Sequence, residues 1–362
     1  MRSKLFLDEN GGVSLARYEK VKYPIIDKIT QDMISLFWVP EEIDLSKDRR
    51  DFEKLTDGEK HIFTSNLKRQ TLMDTIQGRA PSVTFLPATS SPEFEAAVDK
   101  VCYDESIHSR SYTHIIRNLY NSPSEIFDEI LDTQQIVELA EDIAIYYDAL
   151  HMWNCKREIQ SPDYDEIEHK KAIYLALVSW NALESTRFYV SFACSWAFAE
   201  SGRMVGNADI IKLISRDEER HKLLTTRIIN LLKKDDPDFE RIIPELEGQA
   251  TEIYVSVIEQ EKRWSEYLFK DGGMIGLNAG ILSDYVEWLG SMNMKVIKLD
   301  SPYNRVKKNP IPWINSWINS ASVQVAPQET EITSYLNGII LKDTTDIDKN
   351  QLFNVDEVLN SY

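Results

Sequence analysis

The stretch Val101–Leu119 reads VCYDESIHSRSYTHIIRNL, and Ala208–Lys233 reads ADIIKLISRDEERHKLLTTRIINLLK. In the first, Val101, Glu105, His108, Tyr112, Ile115 and Leu119 follow in steps of 4, 3, 4, 3 and 4. Residues so spaced share one face of an α-helix. In the second, Ile211, Ile214, Glu218, His221, Thr225, Ile228 and Leu232 do the same. Both faces are apolar except for a Glu and a His in the middle. A buried carboxylate without a partner is strongly unfavourable. A metal compensates directly, because a carboxylate and an imidazole one turn apart can bind the same ion.

Two further apolar faces carry one carboxylate each. Asp74 follows Phe63, Leu67 and Gln70, while Glu184 follows Leu177 and Trp180 and precedes Phe188. One carboxylate from each of two helices, with a Glu-x-x-His from each of two others, is the ligand arrangement of ferritin-like di-iron and di-manganese bundles. The sequence therefore predicts an all-α, ferritin-like helical bundle with a di-metal carboxylate site. Its candidate ligands are Asp74, Glu105, His108, Glu184, Glu218 and His221. Four carboxylates balance two divalent ions. The donors are hard enough for iron or manganese and too carboxylate-rich to favour structural zinc. Asp74 departs from the usual Glu, and its shorter reach suits one ion rather than a bridge. Such an ion pair can reduce O2 and leave an oxidant in a dry pocket. Tyr112 lies four residues, about one turn or about 6 Å along the axis, beyond His108. A lone buried Tyr is ordinarily a core residue with a satisfied hydroxyl; its place beside a ligand makes it the candidate to be oxidised.

Spacing alone decides nothing, since Glu166-x-x-His169 and Asp148-x-x-His151 share it. The first lies among Asp163, Asp165, Glu168, Lys170 and Lys171, a polar run, and the second near a helix end. Both read as surface coincidences.

The rest of the chain fits a helical protein. Of 362 residues only 13 are Gly and 13 Pro. Thr56 and Glu59 form a capping box opening a helix that runs to Gln77. Ser91 and Pro92 open a second, reaching about Tyr120. Further helices are expected over Glu125–Asn154, Ala172–Glu200, Ala208–Lys233 and Phe239–Phe269, and from Ala279 after a turn at Gly272, Gly273 and Gly276. Arg157–Lys171 reads as a loop, and no repeat is evident. With 41 Lys+Arg against 59 Asp+Glu the net charge is −18, which disfavours nucleic acid and anionic membrane surfaces as partners. The longest apolar run, Tyr189–Ala199, is too short to span a bilayer. The first residues lack the apolar core of a signal peptide. Three cysteines without a paired motif suit a cytoplasmic setting. The chain divides into residues 1–325, the ferritin-like domain, and residues 326–362, a flexible tail. From Pro327 this tail holds seven acidic residues and two lysines.

Several blocks, in order, resemble the small, radical-generating subunit of class I ribonucleotide reductase. They are FWVPEEIDLSKD (Phe37–Asp48), DTIQGRAP (Asp74–Pro81), ESIHSRSYTHIIRNLY (Glu105–Tyr120), RFYVSFAC (Arg187–Cys194), RDEERH (Arg216–His221), NPIPWINSW (Asn309–Trp317) and VQVAPQETEITSYL (Val323–Leu336). The likeness spans about Ser14 to Gly338 and is nearest to the aerobic bacterial and phage-type, tyrosyl-radical branch.

That resemblance implies an oxo-bridged di-iron centre. Asp74, Glu105 and His108 would hold one iron and Glu184, Glu218 and His221 the other, with Glu105 and Glu218 bridging. Tyr112 would carry the stable radical, shielded by Phe188, Phe192 and Ile214. Trp38 and Asp217 match the start of a radical-transfer pathway, and Tyr335 and Glu329 match its continuation in the tail. The resemblance implies a homodimer that uses O2 and an electron donor for assembly. Its tail would dock on a large subunit, where ribonucleoside diphosphates are reduced to 2′-deoxyribonucleotides. Nucleotide binding would belong to that partner, which suits a chain with no phosphate-cradling Gly-rich loop and no thiol pair. The last residues of the tail depart from the family pattern. Two alternatives remain open: a ferritin-like di-metal oxidase or iron-handling protein, and a purely structural helical subunit.

Overall fold

The computed structural model describes residues 4–8, 15–274 and 276–318, apart from the side chains of 139–141. The predicted boundary at 325/326, the tail, Glu329 and Tyr335 lie outside the described residues. Helices α1 (Pro24–Ser35), α2 (Ser46–Glu53), α3 (Asp57–Gln77), α4 (Ala80–Phe85) and α5 (Pro92–Leu119) come first. Then follow α6 (Pro123–Asp128), α7 (Gln134–Glu158), α8 (Glu166–Ala182), α9 (Tyr189–Glu200) and α10 (Val205–Asp235). Next are α11 (Phe239–Glu245), α12 (Glu247–Leu268), α13 (Ala279–Val296) and the short α14 (Asn315–Ile318). Among the described residues the only β-pairings are isolated bridges at Phe6–Thr89 and Met274–Leu277. The all-α fold read from the two stripes is therefore the fold of the described residues. Among the described residues no helix is long and apolar enough to cross a membrane.

The helix starts follow local chemistry. The Thr56 hydroxyl accepts the Glu59 amide at 3.3 Å, and the Glu59 carboxylate accepts the Thr56 amide at 2.9 Å. Ser91 caps α5 by accepting the Phe94 amide at 3.3 Å. The N-terminus of the 31-residue α10 abuts Asp48, a buried residue of α2. Its carboxylate accepts the Gly206 and Asn207 amides at 3.0 and 2.6 Å, so a negative charge meets the positive helix end. Glycine is required there: a Cβ on Gly206 would stand 2.7 Å from the Asp44 carbonyl.

Several expectations need correction. The helix expected over Glu125–Asn154 is split: α6 ends at Asp128, a 3₁₀ turn covers Glu129–Asp132, and α7 starts at Gln134. Asp132 and Thr133 are poor helix-interior residues that favour caps. The Arg157–Lys171 loop is shorter than expected, because α7 continues to Glu158 and Asp165 caps α8 through the Ile167 amide at 2.8 Å. The helix expected over Ala172–Glu200 is interrupted by a π-helical turn at Leu183–Arg187. The helix expected over Phe239–Phe269 breaks at Leu246, two residues after Pro244. The short helices α1, α2 and α4 were not anticipated, since each is too brief to show a long periodic face.

Helices α3, α5, α8 and α10 pack around a common interior. Contacts link α3 to α5, α10 to α5 and α8, and both α8 and α10 to the π-helical turn. The core is continuous through these elements, and the functional side chains project into it.

Candidate metal centre

The four elements that meet in the interior bring the six predicted ligands together. Helix α3 supplies Asp74 and α5 supplies Glu105 and His108. The π-helical turn supplies Glu184 and α10 supplies Glu218 and His221. All six are buried without solvent exposure. Ligand atoms of Glu105, Glu184, Glu218 and His221 lie within 4.8 Å of one another, as do those of Asp74, Glu105 and His108. Glu105 belongs to both groups. The His108 Nδ1 stands 3.4 Å from Glu105 and 3.3 Å from Glu218. The His221 Nδ1 stands 3.4 Å from Glu105 and 3.3 Å from Glu218. Each of these two carboxylates thus turns one oxygen toward each imidazole. A π-bulge is a frequent feature of functional sites, and here it carries Glu184.

The donor atoms are orphaned. Both oxygens of Asp74, Glu105 and Glu218, the Oε2 of Glu184 and the Nδ1 of both histidines make no hydrogen bond. Buried polar groups are nearly always paired, and here a whole cluster is not. Burial, then the charge of Glu105, pushes the Asp74 pKa well above the carboxylate range. Burial, then the charge of Glu184, does the same to Glu218. Burial opposes protonation of the histidines. Asp217 and Glu105 nevertheless raise His108, and Asp104 and Glu105 raise His221, well above the usual value. Only added positive charge relieves such a cluster with all four carboxylates ionised, and two divalent cations supply it. The donor set therefore fits a pair of hard or borderline ions.

The surrounding residues fix these ligands. Glu184 Oε1 accepts the Trp180 indole N–H at 2.5 Å and the Gln77 amide at 2.8 Å. Gln77 is held in turn by the Tyr147 hydroxyl at 2.9 Å. Trp38 donates its indole N–H to Asp217 at 2.8 Å, and the same Asp217 oxygen lies 3.2 Å from His108 Nε2. The Leu36 carbonyl accepts from Arg216 at 2.6 Å, which ties the Trp38 segment to α10.

Tyr112 is buried, and its hydroxyl makes no hydrogen bond. Burial, then the Asp74 and Glu218 charges, raises its pKa well above the ordinary phenol value and keeps it protonated. Phe188 and Phe192 stack with centroids 5.7 Å apart, and both are buried, as is Ile214. Phe188 follows Glu184 by one turn and Ile214 precedes Glu218 by one turn, so each shares a ligand-bearing face.

The two decoy motifs do not join the centre, but one was misread. His169 is a core residue, not a surface one: its Nε2 meets the Asn154 side-chain oxygen at 2.9 Å, and burial lowers its pKa to about 4. Its motif partner Glu166 is exposed. Asp148 and His151 are both exposed, as expected. Reading the sequence for ligands also missed Gln77, Tyr147 and Asp104. The signal for Asp104 was present. Asp104-Glu105-x-x-His108 and Asp217-Glu218-x-x-His221 share one five-residue pattern.

Comparisons with known proteins agree on one family. The family model described as ribonucleotide reductase, small chain, matches residues 16–310. The ribonucleoside-diphosphate reductase 1 subunit beta of Escherichia coli O157:H7 is 49% identical over 354 residues, 94% of each chain. The subunit beta of Enterobacteria phage T4 is 40% identical over 357 residues, 92% of each chain. Among solved structures, the ribonucleotide reductase R2 subunit from Clostridium botulinum superposes with a TM-score of 0.72 at 26% identity. It covers 88% of this chain and 99% of that one.

Proposed function

The chain belongs to the family of ribonucleotide reductase small chains, and from that membership we propose the roles of its individual residues. It is the small subunit of a ribonucleoside-diphosphate reductase, an oxidoreductase that acts with a large subunit. Asp74, Glu105 and His108 hold one metal ion and Glu184, Glu218 and His221 the other, with Glu105 and Glu218 shared. The observation that carries this reading is that these six buried side chains bring together donor atoms with no hydrogen-bond partner, within 4.8 Å of one another in two groups. Iron is the proposed metal, and the same donors also suit manganese. When bound, the pair supplies the oxidising power, drawn from O2, that makes a radical of Tyr112.

The protein's own part is placement and exclusion. Tyr112 gives up an electron and its phenolic proton. In the metal-free chain burial, then the charges of Asp74 and Glu218, hold that proton on the phenol. Phe188, Phe192 and Ile214 add apolar bulk that keeps water and reductants away from the radical. Trp38, bonded through Asp217 to His108, starts the route by which the oxidising equivalent leaves. Glu329 and Tyr335 continue it to the large subunit, on which residues 326–362 dock. The chain works as a homodimer in the cytoplasm, and an electron donor completes its assembly.

Metal analysis together with electron paramagnetic resonance tests this reading. The metal-free chain given Fe(II) and O2 is expected to take up two ions per chain and show a tyrosyl signal. Two ions without that signal would leave a di-metal protein and remove the radical function. No uptake would remove the centre itself.

A further inference from the structure

Each ligand histidine turns Nδ1 toward the cluster and Nε2 away from it, and a different aspartate meets each outward nitrogen. Asp217 is hydrogen-bonded to His108 Nε2 at 3.2 Å, whereas Asp104 stands 3.5 Å from His221 Nε2, an ion-pair distance at which that nitrogen makes no hydrogen bond. The pairing is crossed. Asp104 precedes Glu105 on α5 yet faces a histidine of α10, while Asp217 precedes Glu218 on α10 yet faces a histidine of α5. Each copy of the Asp-Glu-x-x-His pattern therefore completes the other. The far sides of the two aspartates differ. Asp217 accepts the Trp38 indole N–H, and its other oxygen is 3.7 Å from Arg216. The second oxygen of Asp104 is bonded by the Lys100 ammonium, one turn earlier on the same helix. Both Lys100 and Asp104 are largely withdrawn from solvent, with side chains 14% and 8% exposed.

We propose that Asp104 is a positioning residue for His221, the counterpart of Asp217 for His108, and that Lys100 holds Asp104 in place. This rests on the reading of the six side chains as metal ligands. A neutral imidazole carries one proton, and a metal needs the other nitrogen bare. The Nδ1 of His221 faces Glu105 at 3.4 Å and Glu218 at 3.3 Å, and both would accept a proton from it. Left alone, the ring has every reason to place its proton on Nδ1, where it blocks the metal. Asp104 offers a competing carboxylate at Nε2, draws the proton to that side and fixes the plane of the ring. The equivalence with Asp217 is one of position. An indole can be oxidised, whereas the ammonium behind Asp104 cannot, so the Asp104 limb holds a ligand without offering a second way out for the radical.

The test uses the full chain stripped of metal and titrated without O2 by Mn(II), with free ion followed by electron paramagnetic resonance. The unsubstituted chain is expected to bind two ions. Asp104→Asn should weaken one of the two sites by about 10- to 100-fold and leave the other within about twofold. Its metal-free melting temperature should stay that of the parent. The double variant with Asp217→Asn should weaken both sites. Asp104→Glu, which keeps the carboxylate, should restore most of the lost affinity, and Lys100→Met should cost less than Asp104→Asn. Two sites of parental affinity in Asp104→Asn would overturn the proposal, as would equal weakening of both. A loss in Asp104→Glu as large as in Asp104→Asn would make the residue a packing element and overturn it too. If the unsubstituted chain bound no Mn(II), the metal-centre reading would fall first and the proposal with it.

Discussion

Glu261 on α12 and Glu105 on α5 are both glutamates without solvent exposure, each in the middle of a long helix of the same bundle. Around Glu261 the protein supplies a counter-charge. The two terminal guanidinium nitrogens of Arg69 bond its two oxygens, one at 3.0 Å, and the Arg69 guanidinium lies over the Trp264 ring at 4.7 Å. Around Glu105 the protein supplies only more carboxylate and two imidazoles, and neither oxygen has a hydrogen-bond donor. Burial alone therefore does not mark a functional carboxylate. What marks it is burial with the partner left out, because the folding chain accepts that cost only where something from outside completes the site.

The largest expected effect separates holding the metal from using it. Tyr112→Phe removes one oxygen that makes no hydrogen bond in the fold. It should keep two metal ions per chain and the parental melting temperature. The tyrosyl resonance and nucleotide reduction with the large subunit should vanish entirely. A surviving identical signal would place the radical on another residue, with Tyr147, buried beside Gln77, the first to examine.

The comparison itself is broken or kept by a crossed pair of variants. Glu261→Gln leaves the buried Arg69 facing a neutral amide, and loss of one partner of a buried pair costs about 3–5 kcal/mol. Urea unfolding of the metal-free chain should show that loss, while metal uptake per folded chain stays at two ions. Glu218→Gln should do the reverse. Burial and the Glu184 and Glu105 charges already hold Glu218 protonated in the metal-free chain, so a neutral amide there should leave that chain about as stable as the parent, with uptake by the centre impaired. If Glu261→Gln lost metal without losing stability, paired and orphaned buried carboxylates would not be separate classes.

A third test uses pH. Without metal, Asp74 and Glu218 titrate well above their unfolded values because they are buried among like charges. His108 and His221 are also raised, by their carboxylate neighbours against the effect of burial. In all four cases the folded chain binds more protons than the unfolded one. The stability they contribute is complete below the unfolded pKa, about 4 for the carboxyls and about 6.5 for the histidines. It is lost as pH rises toward the folded values. Bound cations displace those protons, so metal affinity grows with pH. A ligand at 100 times its Kd adds about 2.7 kcal/mol, and that contribution should increase as the sites tighten. The gap in melting temperature between metal-loaded and metal-free chains should therefore widen from pH 5 to 8. His169 runs the other way: its pKa of about 4 makes it cost stability as pH falls below about 6.5. It does so in both forms and cancels from the gap. A gap that narrowed toward pH 8 would contradict the orphaned-cluster picture.

The two stripes were legible because a polar residue on an apolar face conflicts with its surroundings, and that conflict is local to one helix. The stretches expected to run unbroken through Asp128–Thr133, Leu183–Arg187 and Leu246 hid their breaks, because apolar spacing continues across a π-turn or a short interruption. Glu184 was found, but not the turn that aims it. Gln77 and Tyr147 were illegible for a different reason: their roles exist only between α3, α7 and the π-helical turn, and no spacing within one helix encodes them. Asp104 lay between these cases. The repeated Asp-Glu-x-x-His pattern was readable, while the crossing that gives it meaning is tertiary. His169 shows the reverse error, since a polar run around a residue says nothing about which way its own side chain points.

The smallest expected effect is at the decoy. Glu166 has the motif spacing to His169, but its side chain is 47% exposed and pairs with Lys170 at 2.7 Å. Lys170 is itself buried and keeps two further carboxylates, Asp236 at 2.9 Å and Asp238 at 2.6 Å. Glu166→Gln therefore removes one exposed arm of a network whose buried cation stays paired. Exposed pairs are worth about 0–1 kcal/mol, so urea unfolding should move by no more than about 0.5 kcal/mol. Metal uptake should not change at all. A loss of metal from this variant would mean that spacing alone recruits an ion, and that exposed and orphaned carboxylates are not the separate classes they are taken for here.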